Sequence, residues 1–259
     1  MRSRAASFGP MLVVTVIAAV LVALLATAVA QPISEECFDN CSIGQLVAMG
    51  AIGLVSLAWL AAVLAMAWRL RRREPALAAL SAGTAALFVA VMAGLDASLF
   101  LSPSSFDSPI FVFDQLILVL AMGVQLPAIW RLAASAAPAG IGRPAAFVAG
   151  LATLVVAVAI IALGTTPFDS GPQVQFITYL VFSADVAVLA GASWRQAGRE
   201  RPGLALVGGA ALFYAVVGAY YEISPLDSTG ILLVATPILA AGWLWIGWAW
   251  LRTPEPLVS

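Results

Sequence analysis

Apolar stretches long enough to cross a bilayer recur along the whole chain, and this feature limits the fold more than any other. A helix rises about 1.5 Å per residue, so about 20 residues span the hydrocarbon core. The strands of a membrane barrel would be about half as long and would alternate apolar with polar residues. Composition agrees, because 63% of the 259 residues are hydrophobic, 10% are charged and the mean hydropathy is +1.03. The pattern predicts an all-α integral membrane protein.

The apolar stretches predict a bundle of eight transmembrane helices with short loops, forming one polytopic domain over residues 1–259. The predicted helices cover residues 10–30, 45–68, 76–101, 109–130, 144–164, 173–194, 203–221 and 229–250. The first stretch ends in an A-x-A pattern, which is typical of signal-peptide cleavage. Its apolar length exceeds that of a signal core, so we favour a retained helix. If it were cleaved, seven helices would remain.

The basic residues predict the orientation of these helices, because arginine is retained on the cytoplasmic side of a membrane. With both termini inside, all twelve basic residues lie at the inner surface. They are Arg2, Arg4, Arg69, Arg71, Arg72, Arg73, Arg131, Arg143, Arg195, Arg199, Arg201 and Arg252. We therefore predict a multi-pass protein of the cytoplasmic (inner) membrane, with the lipid bilayer as a partner and the N and C termini inside.

The chain contains no histidine and no lysine. Without histidine there is no histidine-ligated metal and no Ser-His-Asp catalysis, and without lysine there is no Schiff-base cofactor. We therefore expect no cofactor and no metal site, assign no catalytic residue, and expect no nucleic-acid partner.

Each predicted outer turn carries an aspartate among turn-forming residues. The four are Asp39, Asp107, Asp169 and Asp227. Asp, Ser, Asn and Pro favour tight turns, so the pattern fits turn chemistry or the trace of a repeated helical hairpin. A functional interpretation is an acidic ring that concentrates cations at an outer mouth.

Two cysteines, Cys37 and Cys41, lie in the first predicted outer loop. Outside the reducing cytosol, a short-range disulfide is the state that this spacing favours. A redox-active pair is the alternative. The spacing is no zinc signature without further ligands.

Asp185 lies near the middle of the otherwise apolar segment 173–194. A carboxyl at this depth is unfavourable in hydrocarbon and therefore marks a functional hypothesis. Because no arginine lies at that depth, the carboxyl must be protonated, hydrogen-bonded, hydrated or paired with a bound cation.

Other polar side chains extend this interpretation toward the outer surface. Asp96 and Asp114 lie near the outer ends of two helices joined by an outer turn, and Gln125 lies three helical turns beyond Asp114 on nearly the same face. Glu222 lies at the outer border of another helix. Together they predict an outward-facing acidic polar cleft that narrows toward Asp185. The structural alternative is that each acid makes a helix-packing contact or reaches the outer interface.

Three functions fit this pattern. The first is a small permease or channel-like protein for a small solute or cation, in which Asp185 would couple transport to a proton or cation. The second is a non-catalytic subunit of a larger membrane complex, in which Asp185 would meet other membrane subunits. The third is an intramembrane enzyme acting on lipid, with Asp96 and Asp114 as an acid/base pair. No nucleophile accompanies that pair, so we do not expect an enzyme.

Overall fold

The computed structural model describes residues 43–70, 74–95, 109–135, 140, 142–163, 171–223 and 229–252. Within these ranges the chain forms seven α-helices and no strand, which confirms the all-α class for this part of the chain. In chain order the helices are α1 (Ile43–Leu70), α2 (Pro75–Leu95), α3 (Pro109–Ser135), α4 (Gly142–Leu163), α5 (Gly171–Ser193), α6 (Arg201–Ile223) and α7 (Thr229–Arg252). The first predicted helix, residues 10–30, lies outside the described residues.

Two helices have stretches that are long and apolar enough to cross a membrane. They are Leu116–Ala134 in α3, with a mean hydropathy of 1.8, and Val234–Arg252 in α7, with a mean hydropathy of 1.4. Within the described side chains, the other five helices contribute shorter apolar stretches. The membrane association of these two helices is therefore supported by length and composition, whereas the eight-span bundle stays a prediction.

Consecutive helices pack against one another, and α7 returns to pack against α2. This closes a ring in which α2, α3, α5, α6 and α7 surround a central cavity. Helix α4 packs on the outside against α3 and α5, and α1 packs on the outside against α2 and α3. The ring brings together segments that are far apart in the sequence, and it positions the site described below.

Glycines allow α7 to approach both of its neighbours closely. A Cβ atom built on Gly247 would lie 2.6 Å from Cγ of Leu80 in α2, and one built on Gly242 would lie 2.8 Å from the backbone nitrogen of Val207 in α6. No side chain larger than hydrogen fits either place without moving a helix. Small residues at helix contacts are typical of packing in membranes, where close backbone approach supplies van der Waals contact.

The described arginines all lie at or beside helix ends and are all exposed. They are Arg69, Arg131, Arg143, Arg195, Arg199, Arg201 and Arg252. Up-and-down packing brings these helix ends together, and we name this end of the bundle the arginine end. Two tryptophans contact arginines at this end. Nε1 of Trp245 donates a hydrogen bond to the carbonyl oxygen of Arg199 at 3.0 Å, and the Arg252 guanidinium lies 4.1 Å from the ring centre of Trp248.

The outer helices are held by different side chains. Helix α1 contributes Leu60 and Val63 to an apolar cluster with α2 and α3, and Trp59 lies 5.1 Å from Phe88, measured between ring centres. Helix α4 instead presents small buried residues to the ring. They are Ala145, Ala146, Ala149 and Ala152. Its opposite face carries large exposed apolar side chains, so α4 has one face for the bundle and one for an apolar surrounding.

Candidate functional site

A cavity of about 100 Å³ lies in the middle of the helix ring. Its described lining comes from α2, α3, α5, α6 and α7, near residues 86–89, 118–125, 179–186, 210–214 and 235–239. These positions lie about midway along each helix, on the side of Gly242 and Gly247 that is remote from the arginine end. A volume of about 100 Å³ is large enough for several waters or for one small organic group.

Five of the lining residues carry a polar group, and the others are apolar. The polar ones are Gln125, Tyr179, Ser183, Tyr214 and Thr236. They come from four different helices, so the polar groups are distributed around the cavity. A mostly apolar wall with a few polar groups from several elements is the usual composition of a small-molecule site.

A buried hydrogen bond fixes the orientation of Gln125. Nε1 of Trp243 donates to Oε1 of Gln125 at 3.1 Å, and Nε2 of Gln125 donates to the carbonyl oxygen of Ala121 at 3.4 Å. Because an indole N–H can only donate, the atom that faces it must be the amide oxygen. The bond joins α3 to α7 on the arginine side of the cavity, where Trp243 is fully buried.

Asp185 lies on α5 but is not among the described residues that line the cavity. Those on α5 are Tyr179, Phe182, Ser183 and Val186, and a helix turns about 100° per residue, so Asp185 points away from their centre by about 120°. Its side chain is half-buried, and its Oδ2 atom is shielded from solvent without a hydrogen-bond partner in the described part of the structure.

The neighbours of Asp185 locate it on a side of α5 that faces away from α6. Helix α6 meets α5 at Ala190, whose Cβ lies 3.0 Å from a Cβ built on Gly208. Asp185 lies on the opposite side of α5, between the buried Phe182 and the exposed Val181. The carboxyl therefore lies at the edge of the bundle rather than at its centre.

The structure describes only part of the predicted acidic cleft. Gln125 is buried and lines the cavity. Asp96 lies outside the described residues, as do the side chains of Asp114 and Glu222. The convergence of these acids on the cavity stays a prediction, and so does the lipid-enzyme hypothesis, which depends on Asp96 and Asp114.

The predicted features of the outer loops also lie outside the described residues. They are the turn aspartates Asp39, Asp107, Asp169 and Asp227 and the cysteines Cys37 and Cys41. The acidic ring and the disulfide therefore stay predictions. Among the described residues, no group of three or more Asp, Glu, Cys or His side chains could hold a metal ion.

Sequence reasoning did not select Tyr179, Ser183, Tyr214, Thr236 or Trp243. A signal was available on α5, where Tyr179, Ser183 and Val186 follow at the i, i+4 and i+7 spacing of one helix face. On α7, Trp243 lies at least nine residues from the C-terminal end, Arg252, whereas Trp248 and Trp250 lie close to it. A tryptophan so far from the interface needs a buried acceptor for its N–H.

Comparison of the chain with models of protein families, with curated proteins and with solved structures found no match.

Proposed function

We propose that this chain is a multi-pass protein of the cytoplasmic membrane and acts there as a small permease, with the central cavity as its solute-binding chamber. The observation that carries the proposal is the cavity itself, which five helices enclose about halfway along their length. Membrane permeases bind their solutes near the bilayer midplane between helices, where the site can be reached in turn from either side.

The exterior of the bundle supports the membrane location. Large apolar side chains are exposed along α4 at 37–67% of their surface, on the face opposite its buried alanines. They are Phe147, Val148, Leu151, Leu154, Val155 and Val158. Similar residues are exposed on α5, α6 and α7. Exposing such a surface to water is unfavourable, whereas contact with apolar lipid tails is favourable.

The arginine end supports the orientation. All seven described arginines are exposed there, beside the exposed Trp68, Trp130 and Trp194. Basic residues at one end of the bundle, with tryptophans at the same level, are typical of the cytoplasmic interface of a membrane protein. We therefore propose that the C terminus, which follows Arg252, is cytoplasmic.

We propose that Asp185 couples transport to a proton or cation without touching the solute. Its carboxyl lies about 120° around α5 from the cavity-lining face. Binding of a proton or cation to it would act by moving α5, which also carries Tyr179 and Val186, rather than by contact with the solute. The proposed acidic cleft would then extend from the cavity toward Asp96, Asp114 and Glu222.

Two substitutions of alanine on α6 test the permease directly. Ala211 lines the cavity, and Ala205 is exposed on another face of the same helix, so Ala211→Leu fills the chamber while Ala205→Leu does not. Proteoliposomes carrying each variant would be screened with panels of neutral, acidic and basic solutes by solid-supported-membrane currents and by filtration uptake.

We expect at least one solute class to be taken up by the wild type and by Ala205→Leu but not by Ala211→Leu. If Ala211→Leu transports as well as wild type does, the cavity is not the transport chamber. If no solute class crosses in any variant, the permease proposal fails.

A second candidate function is favoured by the Oδ2 atom of Asp185, which has no hydrogen-bond partner among the described residues. A shielded carboxyl oxygen at the edge of α5 is what a helix of another membrane subunit could hydrogen-bond. Purification in mild detergent tests this, because a subunit would co-purify with a stoichiometric partner that Asp185→Leu releases. Recovery of the chain alone would exclude a stable complex.

A further inference from the structure

The lining of the central cavity specifies a class of ligand. Resting on the proposed permease function, we infer that the cavity binds an uncharged solute consisting of one aromatic ring and one hydrogen-bonding group, with phenol as the simplest probe. Size, the shape of the wall, the lack of charge and the position of one amide each contribute to this assignment.

The volume sets the size of the ligand. An apolar cavity of about 150 Å³ engineered into a protein core takes up benzene. The present cavity, at about 100 Å³, is of the same order and somewhat smaller. A ligand of about the size of a single ring is therefore the one that we assign to it.

Aromatic side chains line one side of the cavity. Tyr179 and Phe182 come from α5 and Tyr214 from α6. Aromatic rings prefer edge-to-face and offset contacts with another ring, and such pairs are favourable beyond the burial of area alone. Opposite them the wall is made of Ala, Val, Leu and Met side chains from α2, α3 and α7, which a flat apolar ring can contact.

The lining contains no Asp, Glu or Arg among the described residues. The described arginines lie at the arginine end, and Asp185 points away from the cavity. A charged ligand would lose its hydration here without gaining a counter-charge, which is strongly unfavourable. The site therefore selects against an organic acid or amine in its ionised form.

Gln125 supplies the polar recognition. A primary amide has two N–H donors and an oxygen with two lone pairs. The structure uses one donor toward Ala121 and one lone pair toward Trp243. Among the described residues, one donor and one acceptor position of Gln125 have no partner and are left for a ligand, and the Trp243 bond holds the amide in a fixed orientation. A hydroxyl group can both donate and accept, so it matches what Gln125 offers.

Three probes separate these contributions. Phenol and toluene have nearly the same shape and differ in a hydroxyl group, whereas benzoate adds a charge. Equilibrium dialysis against the protein in nanodiscs, with empty nanodiscs subtracted, measures saturable binding of each probe. We expect phenol to bind roughly three- to tenfold more tightly than toluene, the value of one hydrogen bond, and benzoate not to bind.

Three variants connect binding to the cavity. Ala211→Leu is expected to weaken phenol binding by about tenfold or more, since it occupies the chamber, while Ala205→Leu is expected to bind as wild type does. The double variant Gln125→Met/Trp243→Phe removes the amide together with its indole partner, so that no buried N–H is left unpaired. In it, the preference for phenol over toluene is expected to fall, because the amide assigned to recognise the hydroxyl group is gone.

Each result has a defined meaning. No saturable phenol binding, equal binding of benzoate, or a phenol preference that is as large in the double variant as in the wild type would overturn the ligand assignment. Transport of a different solute class without phenol binding would overturn it while leaving the permease standing. Saturable phenol binding that Ala211→Leu abolishes, in a protein that transports nothing, would support the ligand assignment and remove the permease.

Discussion

The two halves of the helix ring are built by opposite means. From the arginine end as far as Gly242, a region that we call the arginine half, α7 contacts α2 and α6 so closely that glycine is required at Gly242 and Gly247. In the other half, the cavity half, the same three helices line a cavity of about 100 Å³ together with α3 and α5. One set of helices therefore provides both a rigid base and a chamber. We therefore expect the chamber to depend on the packing of the arginine half to keep its walls apart.

The same substitution placed in each half gives the largest expected contrast. Ala82 in α2 is fully buried in the packed core, whereas Ala211 lines the cavity. Added methylenes have no space at the first site, so Ala82→Leu is expected to lower the free energy of unfolding by about 3 kcal/mol. Ala211→Leu extends into empty volume and is expected to change it by less than about 1 kcal/mol. SDS titration of detergent-solubilised protein measures both, and equal losses would refute the contrast.

The boundary between the halves is tested next at the Gln125–Trp243 hydrogen bond. Gln125→Leu leaves the buried Trp243 N–H without its acceptor, and we expect a loss of about 2 kcal/mol in unfolding free energy. Adding Trp243→Phe removes the unpaired donor, so the double variant is expected to recover part of that loss relative to the sum of the two single variants. Strictly additive losses would show that the bond does not tie α3 to α7.

Substitutions of glycine test the close packing of the arginine half, with a smaller expected change in stability. A Cβ on Gly242 would meet backbone atoms of Gly203 and Val207 within 2.9 Å, whereas one on Gly209 of α6 meets no heavy atom within 4 Å. Gly242→Ala is expected to lower the thermal unfolding midpoint, with a loss of about 1 kcal/mol after the gain in helix propensity. Gly209→Ala is the matched control and is expected to raise stability by up to about 1 kcal/mol. Tolerance of Gly242→Ala would mean that α6 and α7 can separate freely.

The smallest expected effect is outside both halves, at the edge of α5. Asp185→Leu removes a shielded oxygen that has no partner in the described residues. We therefore expect the unfolding free energy to rise by about 0.5 kcal/mol in the isolated protein. A loss of more than about 1 kcal/mol would instead show that something engages this carboxyl.

Much of the fold could be predicted from the sequence because helix length is set by the apolar stretches. The prediction of 173–194 corresponds to Gly171–Ser193, and that of 229–250 to Thr229–Arg252. At α3, which was predicted to end at residue 130, the helix continues to Ser135. Arg131 and the alanines after it keep helical propensity beyond the apolar stretch.

The candidate site was less predictable because hydropathy does not encode how each helix is rotated. Helix α5 is mostly apolar, so the sequence prediction selected its one carboxyl, Asp185. In the structure, the face of Tyr179 and Val186 is the one that lines the cavity. Most of the lining residues are alanine, valine and leucine, which carry no signature of a site. Gln125 was selected because it is polar, but its bond to Trp243 joins residues 118 positions apart and needed the fold.

Because Trp243 is buried beside the chamber, its fluorescence can report on the chamber. Its indole is fully enclosed and hydrogen-bonded to the cavity wall, whereas Trp68, Trp130, Trp194, Trp245 and Trp248 are exposed at 38–50% of their surface. Aqueous quenchers can reach indoles at the interface and not one in the core. The fluorescence that survives quenching therefore contains the emission of Trp243, and a change in it on adding solute would signal occupancy of the chamber without any label.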